Sequence, residues 1–415
     1  MQLFPRKSAE PKPINWKFNL FIIWFGQIIA LCANSFAMPF IPLYLREHFE
    51  LFDEAELGTV VATFQFFGTL TFCISNPIWG ALGDRYGRKL MLLRAYFLNG
   101  ITIPLMMVAP TVGWMIFFRA LAACFSGTVA ASQALVVTTT PEEHHGFALG
   151  TLSTALWSGT ILGYIGGGLV VHFFDYRTAF LTCGGLFIFS GLLMLLFARE
   201  NFVPKKKKVA AEIPVEKKPG PHLSLHLILL LAFMGALALT RRMDVPFLPM
   251  LVALVGGTEK AALNTSFISA LAAVGGLFSG MIFGALSDRF PAWKLALPSL
   301  LIAGIATLVQ SRAESIWVLA VGRFFCFFAA GGIEPVILAI LSRTVAPEHR
   351  GTALGWSASI RVGGGLVGAA LSGLIITHFQ TRGVFCTSGI IMLSLIPVCF
   401  GILHRYGKPT SVRKK

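Results

Sequence analysis

Along this chain, long apolar runs alternate with short polar knots. Windows of about 20 apolar residues bounded by charges or Pro/Gly clusters predict membrane-crossing helices. They fall at 19–45, 57–81, 90–109, 112–139, 147–171 and 178–198, then at 224–252, 264–286, 295–311, 315–342, 352–376 and 383–403. Without water in the hydrocarbon layer, backbone polar groups must pair within the segment, which favours helices. The pattern predicts an all-α integral membrane protein with twelve spans.

The polar landmarks repeat. Span 1 ends in Met38-Pro39-Phe40-Ile41-Pro42, and span 7 ends in Val245-Pro246-Phe247-Leu248-Pro249. Asp84 matches Asp288, Arg119 matches Arg323, Gly150 matches Gly355, His172 matches His378, and Arg177 matches Arg382, at an offset of about 205 residues. Six spans per copy is an even number, so both copies share one orientation, related by an axis along the membrane normal around a central cavity. This predicts a six-helix bundle over 1–199, a Lys- and Pro-rich cytoplasmic linker over 200–222, and a second six-helix bundle over 223–415.

Composition agrees: 55% of the 415 residues are hydrophobic and only 13% charged, more apolar surface than a soluble core can hide. Lys and Arg crowd the tails and every second loop, while the other loops hold only Arg46, Arg177, Lys260, Arg312 and Arg382. Basic loops stay on the cytoplasmic side, so both termini are expected there. The net charge of +15 then reflects topology. Lys205 to Lys208 read as an anchor near anionic lipid rather than a nucleic-acid patch, because interleaved aromatics are lacking.

The seven cysteines lie within spans without paired spacing, which argues against a disulfide framework or metal site. His144 and His145 beside Glu142 and Glu143 read as a solvated loop, and no cofactor is expected. The first residues lack a short apolar core with a cleavage site, so no removable signal is expected. Nucleotide-binding loops, nucleophile elbows and metalloprotease helices are not found, which argues against an enzyme.

The sharpest loop is GALGDRYGRK, where Gly80, Gly83 and Gly87 let helix ends approach and Asp84, Arg85, Arg88 and Lys89 supply charge. A carboxylate at the membrane edge gains most from a helix N-terminus or a basic partner. Arg350, at the start of span 11, is the candidate: a contact made only when the inner side is closed turns the loop into a latch between the halves. The second copy, GALSDRFPAWK, lacks the GRK end.

GALGDRYGRKLMLLR at 80–94, Arg119 in span 4, MPFIPLY at 38–44 and ALGTLST at 148–154 together resemble the major facilitator superfamily, and within it the twelve-span bacterial drug/proton antiporter branch. The resemblance implies alternating access driven by a proton gradient, a location in the bacterial inner membrane, and function as a monomer. Two departures stand out: Tyr164 occupies the place of a proline in the branch's span 5 signature, and span 1 carries Gln27, Asn34 and Ser35 but no acid.

Charges inside spans are costly and face a cavity or a partner. Arg119, Arg241, Arg242, Asp244, Arg323, Glu334 and Arg361 are therefore the candidate substrate-binding and proton-coupling residues, with Asn34 a polar neighbour for Arg119. Glu334 and Arg361 lie at similar depths, roughly 13 and 14 Å from the inner ends of their spans. Arg241 and Asp244 share a face of span 7, and Arg323 offers Asp244 a second partner. These charges are either fixed ion pairs of the C-terminal half or a working site. The excess of arginine suits an amphipathic or acid-headed cargo, with Arg242 facing the cavity unpaired. A proton moving on or off Glu334 or Asp244 would couple transport to the gradient. The reading is a proton-coupled exporter of small molecules; the alternatives are an importer or exchanger of an anionic metabolite or siderophore-like compound, and a non-transporting membrane sensor.

Overall fold

The computed structural model describes residues 15–202, 225–287, 289–345 and 350–406. The linker with Lys205 to Lys208, Asp288, and the side chain of Arg350 lie outside the described residues. Among those described, the chain is helical throughout, as α1 (Trp16–His48), α2 (Glu54–Tyr86), α3 (Arg88–Val108), α4 (Val112–Thr139), α5 (Glu142–Phe173), α6 (Tyr176–Phe197), α7 (Leu225–Gly256), α8 (Ala261–Ser287), α9 (Ala292–Ser311), α10 (316–344), α11 (350–379) and α12 (381–406). The last two run as one 57-residue helix broken at Gln380 (φ 56°). At about 1.5 Å per residue that length is far more than one crossing of a layer about 30 Å thick, so it makes two spans and the total is twelve. No loop of several residues separates them, although the sequence suggests one over 377–382.

Local chemistry explains the boundaries. Asp53 caps α2 by accepting from the Glu56 amide at 2.8 Å, and Asp175 caps α6 by accepting from Thr178 N at 2.6 Å. The Thr178 hydrogen bonds hold the Asp175 carboxyl below the usual carboxylate range. Interruptions recur at matched places in the two halves. Pro39 and Pro246 open single 3-10 turns at 38–40 and 245–247, because proline lacks the donor a continuous α-helix needs. Gly127 breaks α4 at φ 113°, and Gly332 interrupts α10.

Packing repeats in the same way. In α5, Gly159, Gly163 and Gly167 lie every fourth residue against the Ile28, Cys32 and Phe36 carbonyls of α1. In α11, Gly364 and Gly368 lie against Gly235 and the Leu239 carbonyl of α7. Lipid gives helices no hydrophobic reason to associate, so small residues that let backbones approach supply the packing energy instead. Gly355 and Gly363 face open space.

The halves meet along α2 with α11 and α5 with α8. Gly58 packs on Ile376 and Gly373 on Ala62; further along the second seam, Gly168 packs on Ser266 and Gly276 on the Trp157 ring. At the end that carries Gln380, the Glu54 carboxylate of one half accepts from the Thr381 amide of the other at 2.6 Å. An acid thereby caps the N-terminus of α12 across the interface, where the helix dipole favours it.

Gly167→Leu places carbon atoms where the Phe36 carbonyl stands and is expected to lower stability by about 1–3 kcal/mol. Gly363→Ala, facing open space, is expected to stay within about 0.5 kcal/mol. Thermal unfolding of the two purified variants in detergent checks the contrast.

Candidate functional site

The in-span charges of the C-terminal half sort into two groups. Arg323 of α10 and Asp244 of α7 form an ion pair whose side chains are 2% and 5% exposed. The Arg323 guanidinium also lies over the Phe327 ring at 4.9 Å and near Phe385 at 5.9 Å, so aromatic faces cover what the carboxylate leaves. Ser388 of α12 donates to the Thr240 carbonyl one turn before Asp244, at 3.0 Å. These contacts tie α7, α10 and α12 together around a buried pair.

The second group is open. Glu334 of α10 pairs through Oε1 with Arg361 of α11 and accepts from Arg241 of α7 at 3.3 Å through Oε2. These side chains are 31%, 30% and 24% exposed, several times more than those of the buried pair. A small cavity touches all three and is otherwise walled by Met234, Leu237, Ala238 and Ile337. The Nε of Arg361 is shielded from solvent without a partner. Arg242 is exposed and lies against Gly365 of α11. Among the described residues no carboxylate is in ion-pair contact with Arg242.

The N-terminal half holds a different arrangement at the equivalent places. Arg119 of α4 lies over the Phe64 ring at 5.4 Å and against Gly68, with Nη1 3.8 Å from the Met38 sulfur. Its Nε is shielded and unpartnered. Its polar contact is thus a thioether on the broken segment of α1, while Asn34 is exposed.

The 80–89 segment expected as a loop is helical on both sides of Gly87 (φ 104°), and across that break Asp84 near the end of α2 pairs with Arg88 at the start of α3; the Asp84 side chain is two-thirds exposed. Arg85 stacks on Tyr86 at 5.3 Å. Lys89 donates to the Leu195 and Ala198 carbonyls, at 3.0 and 2.6 Å, at the end of α6. Glu200, a residue the sequence pattern does not single out, accepts from the Arg88 and Lys89 amides at 2.8 and 2.7 Å. The exposed N–H groups of α3 and C=O groups of α6 are thus satisfied by side chains from each other's ends. No motif could reveal this, because the partners lie more than a hundred residues apart.

Asp244→Asn is expected to cost about 3–5 kcal/mol, since it leaves a charged guanidinium shut in without a partner. Glu334→Gln, in a cluster less than a third exposed, keeps a hydrogen-bonding side chain beside Arg241 and Arg361 and is expected to cost less, about 1–2 kcal/mol. Thermal unfolding of both variants measures the difference; equal losses would contradict the division into brace and open cluster.

Known proteins agree with this architecture. The sequence matches the model of the Major Facilitator Superfamily over residues 23–309 and again over 237–415. It is 31% identical over 395 residues to the multidrug resistance protein MdtG of Salmonella heidelberg (strain SL476), covering 94% of this chain and 96% of that protein, and equally to its counterpart from Salmonella newport (strain SL254). The nucleoside transporter NupG superposes with a TM-score of 0.72 at 13% identity, covering 95% of this chain and 100% of that one. A bacterial homolog of the human lysosomal transporter Spinster, in an inward-facing and occupied conformation, superposes with a TM-score of 0.66 at 16% identity over 95% and 97% of the two chains. At such identities the likeness is one of fold. With twelve helices in two repeated halves, paired seams along α2–α11 and α5–α8, and relatives matched over nearly their whole length, this chain belongs to the major facilitator superfamily.

Proposed function

We propose that this protein is a proton-driven exporter of amphipathic or acidic small molecules, working as a monomer in a bacterial inner membrane with both termini in the cytoplasm. The observation that carries the reading is the partly exposed cluster of Arg241, Glu334 and Arg361 with the exposed Arg242 beside it, three cations to one carboxylate. The 31% identity to proteins named for multidrug resistance supports export. The bias of Lys and Arg toward alternate loops supports the orientation. The end at which Glu54 and Thr381 join the halves is then the outer one, and export takes cargo from the cytoplasm.

The geometry constrains the sign of coupling. A substrate anion and the Glu334 carboxylate compete for Arg241 and Arg361, so an anion seated there is accepted with Glu334 protonated, and anion and proton travel together. An anion seated on Arg242 leaves the proton step to Glu334 alone, and the two can move in opposite directions. Export against an inward proton gradient therefore assigns cargo to Arg242 and the nearby apolar walls, with Glu334 switching between its arginines and a proton. The second reading, an importer or exchanger of an anionic compound, uses Arg241 and Arg361 as the anion seat. Asp244, sealed against Arg323, serves as scaffold in both. Asp84 works as an inner latch if it trades Arg88 for a partner in the other half, the role the sequence suggests for Arg350.

A panel of amphipathic and acidic compounds, scored for resistance in cells with and without the protein at two external pH values, identifies a cargo. Inverted vesicles acidified inside should accumulate that cargo. Glu334→Gln should abolish the pH dependence of transport. Losing a charged contact worth about 1.5–3 kcal/mol, Arg242→Gln should raise the half-saturating concentration roughly tenfold or more, and Arg361→Gln less. Stronger dependence on Arg361, with cargo and proton moving in the same direction, would favour import. Unchanged pH dependence in Glu334→Gln would remove Glu334 from the coupling.

A further inference from the structure

Away from the central cluster, the N-terminal half contains a cation that nothing in the transport cycle uses. Arg94 sits in α3, about 9 Å along the helix from its first residue, on the same side of the molecule as the 80–89 loop. Its guanidinium lies 3.7 Å over the Trp79 ring of α2, and Nη2 donates to the Ser126 carbonyl of α4 at 3.3 Å. Nε and Nη1 are both shielded from solvent and have no hydrogen-bond partner. Neither nearby carboxylate serves it: Asp84 is held by Arg88, and Glu200 by the Arg88 and Lys89 amides. A planar fork of donors kept from water, with its charge unanswered, is the kind of group an oxyanion satisfies.

Arg94 is one of the residues lining a cavity of about 80 Å³ between α2, α3 and α4, whose walls also include Asn76, Gly80, Arg88 and Ala130. Gly80 leaves open space where a side chain would stand. Across from α3, Gly127 breaks α4 at φ 113°, so the 12-residue segment Thr128–Thr139 begins a fresh helix there. Its first amides have no acceptor within the helix, and its dipole presents partial positive charge. Gly127, Ala130 and Ala131 line the cavity. Arg94, Asn76 and the helix start at Gly127 thus line one small volume from three helices.

We propose that this cavity is a phosphate-binding site, in which Arg94 and Asn76 together with the amides at the start of Thr128–Thr139 hold a phosphate group. The group belongs either to an anionic lipid headgroup reaching in from the adjacent leaflet or to free phosphate. Trp79 covers the cation and excludes competing water. Bound there, the phosphate ties α2, α3 and α4 together directly beneath the 80–89 loop. The site is independent of the cargo and of the direction of transport.

Purified, delipidated full-length protein in a neutral detergent tests this directly. Phosphatidylglycerol in mixed micelles and inorganic phosphate are titrated separately, with the melting temperature and tryptophan fluorescence as readouts. The Trp79→Phe variant identifies the Trp79 signal. At least one ligand should raise the melting temperature and change Trp79 emission. Its apparent affinity should fall roughly tenfold or more in Arg94→Met, as loss of a charge-assisted contact implies. Ala130→Leu keeps the guanidinium and fills the cavity, and should weaken binding likewise, so the result does not depend on Arg94→Met folding well. Response to phosphatidylglycerol alone assigns the site to a headgroup, and response to inorganic phosphate assigns it to the free anion. No response to either, or an equal response in both variants, overturns the proposal.

Discussion

The ion pair of Asp244 with Arg323 is the contact on which the rest of the candidate site depends. Within the membrane an unpaired guanidinium is costly, and this one is shut in by Phe327, Phe385 and its carboxylate. Pairing therefore fixes the rotation of α7 against α10. Arg241 is three residues before Asp244 and so shares its side of the helix. Once Asp244 is turned to Arg323, Arg241 is delivered to Glu334. Arg242, about 100° further round, is left for Gly365 and the gap between the halves. One sealed pair sets the geometry of the open one.

The two halves share their mechanics and differ in their chemistry. Glycines at four-residue spacing bring α5 onto α1 and α11 onto α7 by the same backbone approach, and helix breaks recur at Pro39 and Pro246 and at Gly127 and Gly332. Where the C-terminal half has Asp244, the N-terminal half has Ala37; Arg119 turns to Met38 and Phe64 instead of to an acid. Ala130 stands where Glu334 stands, and Leu156 where Arg361 stands. A pair of like-shaped bundles can rock about a common axis, while charge gathers on one of them.

The 80–89 loop shows how a helix junction at the membrane edge is held. Glu200 and Lys89 exchange hydrogen bonds with the opposite helix ends, so α3 and α6 are stapled directly to each other. Asp84 remains exposed and pairs with Arg88 across Gly87, while at the far end of the molecule Glu54 and Thr381 join the two halves. Beneath the loop, Arg94 and Trp79 form a pocket that belongs to the same three helices. The junction of α2 and α3 is thus braced by Glu200 from the end of α6.

The amino-acid sequence by itself determined the membrane, the twelve spans and the duplication, because apolar run length and the spacing of Pro, Gly and charge are local properties that the bilayer reads directly. It also named the in-span charges, since each is conspicuous against an apolar background. The tertiary structure decided which charges meet. Asp244 had Arg241 and Arg323 within reach by depth alone, and only the rotation of α7 selects Arg323 and sends Arg241 to Glu334. Glu54 at α12 and Glu200 at α3 were not legible at all, because their partners are backbone amides 327 and 111 to 112 residues away. A backbone amide carries no side-chain identity for a sequence pattern to show. Burial, which separates a sealed brace from an open cluster of the same residue types, is a property of the folded packing and of nothing shorter.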